Sequence, residues 1–193
     1  MVQIPTELQV RPGVEGDLEA LTDIYNHYVH ETALTFDTVT FTPQERMSWL
    51  RSHPEDGPHR LLVALDPGTR DDAPHVLGYA TSSPYRPKAA YSTSVEVSVY
   101  CAPGTTGRGV GTLLHKALFE TLADEDVHRA YAAIALPNEP SVRLHEAFGF
   151  RLVGTYEEVG RKFGRYWDVS WYERPLLSRT APSASPDPSR SRR

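Results

Sequence analysis

A glutamate set among valines is the first feature of this chain that asks for a chemical explanation. In TSVEVSVYCA (93–102), Val95, Val97 and Val99 point to one side of a strand, and Glu96, Ser98 and Tyr100 to the other. Glutamate is depleted in strands and seldom buried without a partner. Glu96 therefore reads either as a solvent-facing residue of a half-exposed sheet or as a carboxylate kept for proton transfer. A carboxylate within one water of an ammonium can take the proton that the nitrogen must lose before it attacks a carbonyl carbon. Directly after Cys101 comes PGTTGRGVG (103–111), which leads into a helical pattern. Strand, glycine turn and helix together make a phosphate site, because backbone N–H groups at a helix N-terminus point at the anion and glycines let it come close. A mononucleotide P-loop fits poorly. Gly104 and Gly109 have its spacing, but Val110 and Gly111 stand where Lys and Ser/Thr belong. A dinucleotide fingerprint also fits poorly, since Gly107, Gly109 and Gly111 are wrongly spaced and follow the fourth strand. The pyrophosphate of coenzyme A is the remaining choice.

Other residues admit two readings each. His145 is a tunable proton carrier or an ordinary helix histidine. Asn138 is a ligand contact or a helix-entry residue beside Pro140. Arg86 and Lys88, just before the Glu96 strand, are recognition cations or solvated loop residues. Phe36 and Tyr91 pack or line a site. Cys101 has no His–Asn or His–Asp partner nearby in sequence and reads as a small apolar residue. His27 and His30 lack an accompanying HExxH motif or cysteine pair, so no metal is expected.

The elements that must position these groups can be read from periodicity. ELQVR (7–11) reads as a strand. Helical spacing of Leu18, Leu21, Ile24, Tyr25 and Tyr28 predicts a helix over 17–30 capped by Asp17. Thr42-Pro43-Gln44-Glu45 has capping-box spacing and opens a short helix through Trp49 and Leu50. HRLLVAL (59–65) and HVLGYATSS (75–83) form a hairpin across the polar connection 66–74. After the glycine turn, Leu113, Leu114, Ala117, Leu118 and Leu122 give the next helix its apolar face. RAYAAIAL (129–136) reads as a buried strand, and 141–150 as a short helix stopped by Gly149. Strands at 151–160 and 166–176 join around Phe163-Gly164. The order β-α-α-β-β-β-α-β-α-β-β predicts a mixed α/β domain of the α+β type over residues 1–177. Residues 178–193, rich in Ser, Pro and Arg, read as a disordered tail.

Composition narrows the function classes. The chain has 193 residues, enough for one domain, and 39% of them are hydrophobic, enough for a core. No stretch approaches the roughly 18 apolar residues of a membrane span. The N-terminus shows neither a secretory nor an import pattern, and the single cysteine fits a reducing compartment, so a cytoplasmic protein without membrane attachment is expected. Net charge is −5; the last sixteen residues carry +3, leaving −8 on the body, which disfavours nucleic acid as a partner.

Thr106-Gly107-Arg108-Gly109-Val110-Gly111 after VEVSVYC resembles the acetyl-CoA loop of the GNAT N-acetyltransferases, Gln/Arg-x-x-Gly-x-Gly/Ala, with Thr106 departing at the first position. Asn26-His27-Tyr28, the segment Tyr91 to Tyr100 and LPNEPSVRLHEAFGF (136–150) resemble the phosphinothricin N-acetyltransferase branch, and the likeness covers residues 8–177. It implies a twisted, mostly antiparallel sheet flanked by helices, whose central strands splay to hold acetyl-CoA. Implied cofactor contacts are Val99, Tyr100, Cys101, Thr106, Gly107, Arg108, Gly109, Val110, Gly111, Thr112 and Asn138. The implied catalytic groups are Glu96 as general base, His145 or Tyr100 to return a proton to the thiolate, and a backbone N–H near Val99 or Cys101 for the oxyanion. Phe36, Arg86, Lys88, Tyr91 and Ser98 would face the acceptor. In the branch an arginine near Lys88 is associated with the acceptor's acidic group, and lysine keeps the charge but loses the bidentate fork. The implied activity is direct acetyl transfer to the α-amino group of a small acidic amino acid, phosphinothricin first and methionine sulfoximine or sulfone next. It carries an antibiotic- or herbicide-resistance role and a homodimeric state. An acetyltransferase of protein amines and a non-catalytic acetyl-CoA-binding module are the rival readings.

Overall fold

The computed structural model describes residues 8–66, 75–105 and 107–176. In chain order it runs β1 (Gln9–Pro12), α1 (Leu18–Glu31), α2 (Pro43–Arg51), β2 (Leu61–Asp66), β3 (His75–Pro84), β4 (Ser94–Cys101), α3 (Val110–Leu122), β5 (Arg129–Ala135), α4 (Glu139–Ala147), β6 (Arg151–Lys162) and β7 (Arg165–Pro175). The expected order of elements is the observed one. The strands form a single sheet in the order β1-β2-β3-β4-β5-β7-β6. Every neighbouring pair is antiparallel except β4 and β5. This is the mixed α+β, mostly antiparallel architecture that the residue pattern predicts. The connection 67–74, Thr106 and the proposed tail at 178–193 lie outside the described residues.

Helices cover both faces of the sheet. The buried run of β2 shows why: Leu61, Val63 and Leu65 pack with Leu21 and Ile24 of α1, while Leu62 and Ala64 turn to the other side and join Leu114, Leu118 and Leu122 of α3. A strand covered on both faces is apolar at every position rather than at alternate ones. Arg46 of α2 is buried within this packing. Its guanidinium lies 3.8 Å from the Trp49 ring centroid and 4.7 Å from that of Tyr25, and donates to the Leu21 carbonyl at 2.8 Å. A buried cation needs such partners, and this one clamps α2 to α1.

Three local expectations change. Asp17 does not cap α1 with its side chain. Its carboxylate accepts two bonds from Arg11, at 2.7 and 2.8 Å, and one from the Val14 N–H at 2.9 Å, because a single 3₁₀ turn over Glu15–Asp17 feeds directly into the helix. The apolar face of α3 is rotated: Val110, Leu114, His115, Leu118, Phe119 and Leu122 are buried, while Leu113 and Ala117 are only half-buried. Segment 129–136 is not uniformly buried. Ala130, Ala132 and Ile134 face the core, whereas Tyr131 is half-buried and Ala133 exposed. By contrast, the Thr42–Glu45 capping box closes as expected, with the Glu45 N–H on Thr42 Oγ1 at 3.3 Å and the Thr42 N–H on Glu45 Oε2 at 2.7 Å.

Candidate active site

The site originates in an incomplete strand pairing. β4 and β5 are in register only at Ser94–Arg129, Val95–Ala130 and Glu96–Tyr131. Beyond Glu96 the strands part, and a cavity of about 690 Å³ opens between residues 97–101 and 132–135. On its β3 side β4 remains paired to the end. The Ala102 N–H bonds the Leu77 carbonyl and the Ser94 carbonyl accepts from Tyr85, so even-numbered positions address β3. By the two-residue period, the backbone groups of Val97, Val99 and Cys101 address the gap. The Cys101 carbonyl is taken by the Tyr28 hydroxyl at 2.8 Å. The peptide groups of Val97 and Val99 face the gap as an edge ready for an extended ligand.

At the wide end the gap meets the N-terminus of α3. Gly109, its N-cap, is left-handed at φ +75° and offers no side-chain cap. The N–H groups of Val110, Gly111 and Thr112 therefore lack intrahelical partners, and all three residues line the cavity. Gly107 is also left-handed, at φ +80°. A Cβ on Gly111 would sit 3.2 Å from Leu144 Cδ2, close enough that the end of that side chain would have to shift by a few tenths of an ångström. Arg108 turns aside to donate to Asp66 at 2.9 Å. The opposite bank is α4, where Asn138 caps the helix by accepting from the Ser141 N–H at 3.3 Å. Gly149, at φ +81°, ends it: its N–H reaches the Glu146 carbonyl and that of Phe150 the His145 carbonyl. A dipole end with free donors, glycines that clear its approach and a strand edge beyond it suit the pyrophosphate and the amide-bearing arm of coenzyme A.

Glu96 sits where the strands part, on the same strand face as Ser98 and Tyr100. Its side chain is 31% exposed, and Arg86 Nη1 lies 3.8 Å from its Oε2. Burial pushes its carboxyl above the usual range, and Arg86 pulls in the opposite direction. Arg86 itself lies over Tyr85 and Trp171, with Tyr85 stacked on Tyr131 at 4.3 Å and edge-on to Tyr91 at 5.8 Å. Tyr100 packs among Tyr25, Tyr28 and Tyr79, with centroids 5.1 to 5.5 Å away, and burial pushes its phenol up to about 12.

Several expected site residues stand elsewhere or face other partners. Lys88 is exposed at the head of a 3₁₀ turn and does not line the cavity. The Phe36 ring lies against Gly160 of β6, while its neighbour Leu34 lines the cavity. His145 lines the cavity but is 3% exposed, with Nδ1 donating to the Ser141 carbonyl at 2.8 Å and Nε2 lying 3.4 Å from Nε2 of His115. Burial holds its pKa below the usual range, so the ring is neutral near pH 7. Cys101 is half-buried, and burial raises its thiol. Among the described residues no cluster of three or more metal-ligating side chains occurs. Sequence reasoning missed Leu34, Thr105, Ser141 and Arg143, which also line the cavity. Helix periodicity puts Ser141 and Arg143 near Asn138, but nothing local marks Leu34. His115 was hidden because a polar residue was not counted on an apolar face.

A profile of the acetyltransferase (GNAT) domain matches residues 13–171. The chain is 69% identical over 170 residues to the phosphinothricin N-acetyltransferase of Streptomyces coelicolor, covering 88% of this chain and 97% of that protein. It is 33% identical over 174 residues to an L-methionine sulfoximine/L-methionine sulfone acetyltransferase of Pseudomonas aeruginosa, covering 90% and 98%. Among solved structures, a GNAT phosphinothricin acetyltransferase from Sinorhizobium meliloti in complex with acetyl-CoA superposes with a TM-score of 0.80 at 31% identity, covering 93% of this chain and 94% of that one.

Proposed function

The chain belongs to the GNAT acetyltransferase family, and on that premise we propose that it acetylates the α-amino group of phosphinothricin or a closely similar small amino acid. Acetyl-CoA is its cosubstrate. The observation that carries the reading is the three-residue β4–β5 pairing, which sets Glu96 at the head of a gap whose far end is the α3 N-terminus. The residues fit the cofactor: the α3 donors at Val110, Gly111 and Thr112 have no helical partner and line the cavity. When bound, acetyl-CoA supplies an acyl group activated as a thioester.

The protein's own groups do the rest. Val110, Gly111 and Thr112, with Gly107 and Asn138 around them, hold the phosphate end, while the backbone of Val97 and Val99 orients the arm. Glu96, ionised, draws the proton from the acceptor ammonium through a water. The Val99 or Cys101 N–H faces the developing oxyanion. Tyr100, kept protonated by burial, is the proposed donor to the thiolate, with His145, whose two ring nitrogens bond Ser141 and approach His115, as the alternative. His145 also shapes the wall. Arg86 meets the acceptor's acidic group, with Ser98, Tyr91 and the Phe36 loop nearby and Lys88 as an outer cation. The likeness to the methionine sulfoximine/sulfone enzyme supports those acceptors as a second choice, because each pairs an α-amino acid with a tetrahedral polar centre.

The reading extends to assembly and location. Leu152, Val153, Tyr156, Val159, Phe163 and Tyr166 of the β6–β7 hairpin are all more than half exposed. Apolar exposure this concentrated marks an interface, and a second copy of the chain is the proposed partner. An unpaired cysteine supports a cytoplasmic setting, and acetylation of the acceptor there is the proposed basis of a resistance role. An acceptor screen reading free thiol from acetyl-CoA tests the activity. Turnover is expected with phosphinothricin and with methionine sulfoximine or sulfone. Turnover confined to peptide amines would overturn the acceptor assignment, and cofactor binding without turnover on any amine would overturn catalysis.

A further inference from the structure

Lys162, the last residue of β6, is 4% exposed. A buried ammonium is costly unless its donors find acceptors. Its Nζ donates to the Thr35 carbonyl at 2.8 Å and to the Tyr28 carbonyl at 3.4 Å. Tyr28 lies in the last turn of α1, so the cation sits at the negative end of that helix. Two residues earlier on the same strand, the Phe36 ring lies on Gly160 so closely that a Cβ there would stand 2.2 Å from it. The hairpin tip thus grips consecutive residues of the α1–α2 connection, Thr35 by its carbonyl and Phe36 by its ring. The gripped segment belongs to the site: Leu34 lines the cavity, and Thr35 Oγ1 bonds the Tyr25 hydroxyl at 2.8 Å, beside Tyr100.

We propose that Lys162 is a positioning residue, which together with Gly160 fixes residues 34–36 as the acceptor-side wall of the active site. This rests on the acceptor reading above, since it assigns that wall to the amino-acid acceptor and not to acetyl-CoA. The grip lies more than 120 residues away along the chain from what it holds. Its stronger hold is on the Thr35 carbonyl, with the Tyr28 carbonyl a longer contact, and neither residue belongs to the α3 N-terminus; a fault in it is expected to be felt first by the acceptor.

Lys162→Met removes the donors and keeps an unbranched side chain, while Gly160→Ala leaves Lys162 intact and pushes Phe36 away. For each variant, initial rates would be measured against acceptor and against acetyl-CoA, with hydrogen exchange followed by mass spectrometry and thermal melts alongside. The expected result for both is an acceptor KM raised by about tenfold or more, the scale of one lost charge-assisted hydrogen bond. The acetyl-CoA KM should be unchanged, and exchange should be faster over residues 32–37 with α3 protection intact. Lys162→Arg, which keeps the charge and donors, should recover part of the acceptor KM. Both KM values rising together, or exchange over 32–37 equal to the parent protein in folded variants, would overturn the proposal. The exchange measurement needs no acceptor, so it decides the grip itself even if the acceptor screen fails.

Discussion

Replacing Glu96 by glutamine separates a catalytic carboxylate from a structural one, because the structure assigns the two roles different magnitudes. The side chain has one polar side-chain neighbour recorded within ion-pair distance, Arg86 at 3.8 Å, and the two are 31% and 46% exposed. Pairs this open contribute at most about 1 kcal/mol, and glutamine also removes the cost of burying charge. The melting temperature should therefore move by no more than about 2–4 °C for a domain of this size. A lost general base costs about 10²- to 10⁴-fold, or about 2.7–5.4 kcal/mol of barrier. The assay is kcat/KM for parent and variant from about pH 6 to 9.5, with free thiol as the readout. The deficit should narrow as pH rises, because more acceptor then arrives as free amine, and acetyl-CoA affinity should hold. A folded variant within about threefold of the parent across that range, or a deficit flat in pH, would refute the reasoning.

Other outcomes follow from neighbouring features. Gly109→Val forces a β-branched residue to φ +75°, and Gly111→Val presses on Leu144; titration calorimetry should show acetyl-CoA affinity down by about tenfold or more, because the added side chain shifts and covers the backbone donors that face the anion, with Arg108→Ala milder. Arg86→Met should move the acid limb of kcat/KM to higher pH. Burial raises the Glu96 carboxyl and Arg86 lowers it, so losing Arg86 leaves the raised value unopposed and the base protonates earlier as pH falls; an unmoved limb would count against Glu96 as the titrating group. Tyr156→Asp with Val159→Asp should halve the mass seen by sedimentation while leaving the melt of the core intact, and an unchanged mass would remove the hairpin as the dimer face.

The order of elements was legible because each carries a local signal: the period of two around Glu96, the Thr42–Glu45 box, the Gly149 stop. The glycine turn was legible for the same reason, since helix N-terminus and left-handed glycines are neighbours in sequence. What local signals could not show is register. Nothing in TSVEVSVYCA or RAYAAIAL says that they pair for three residues and then part, and it is that parting which exposes Ala133. Nor does sequence show which way a ring turns on a helix; His145 was legible as a candidate, but its engagement with Ser141 and His115 depends on how α3 and α4 pack. Phe36 is legible as a site candidate, while the group that holds its neighbour, Lys162, lies on a distant strand with no local signal to mark it.

The short seam between β4 and β5 has a consequence for how long the protein lasts. In backbone pairing the sheet is two plates, β1–β4 and β5–β7, welded over three residue pairs above a shared core. A molecule lying along the gap touches both plates and ties them together. Binding of this kind adds folding free energy by mass action, about 2.7 kcal/mol at a hundredfold excess over Kd. Opening along the weld, and with it proteolytic attack, then becomes rarer as the cofactor becomes more plentiful. The expected outcome is a proteolytic half-life in vitro that lengthens as acetyl-CoA is added, and a half-life indifferent to the cofactor would show that the three-pair seam does not govern opening.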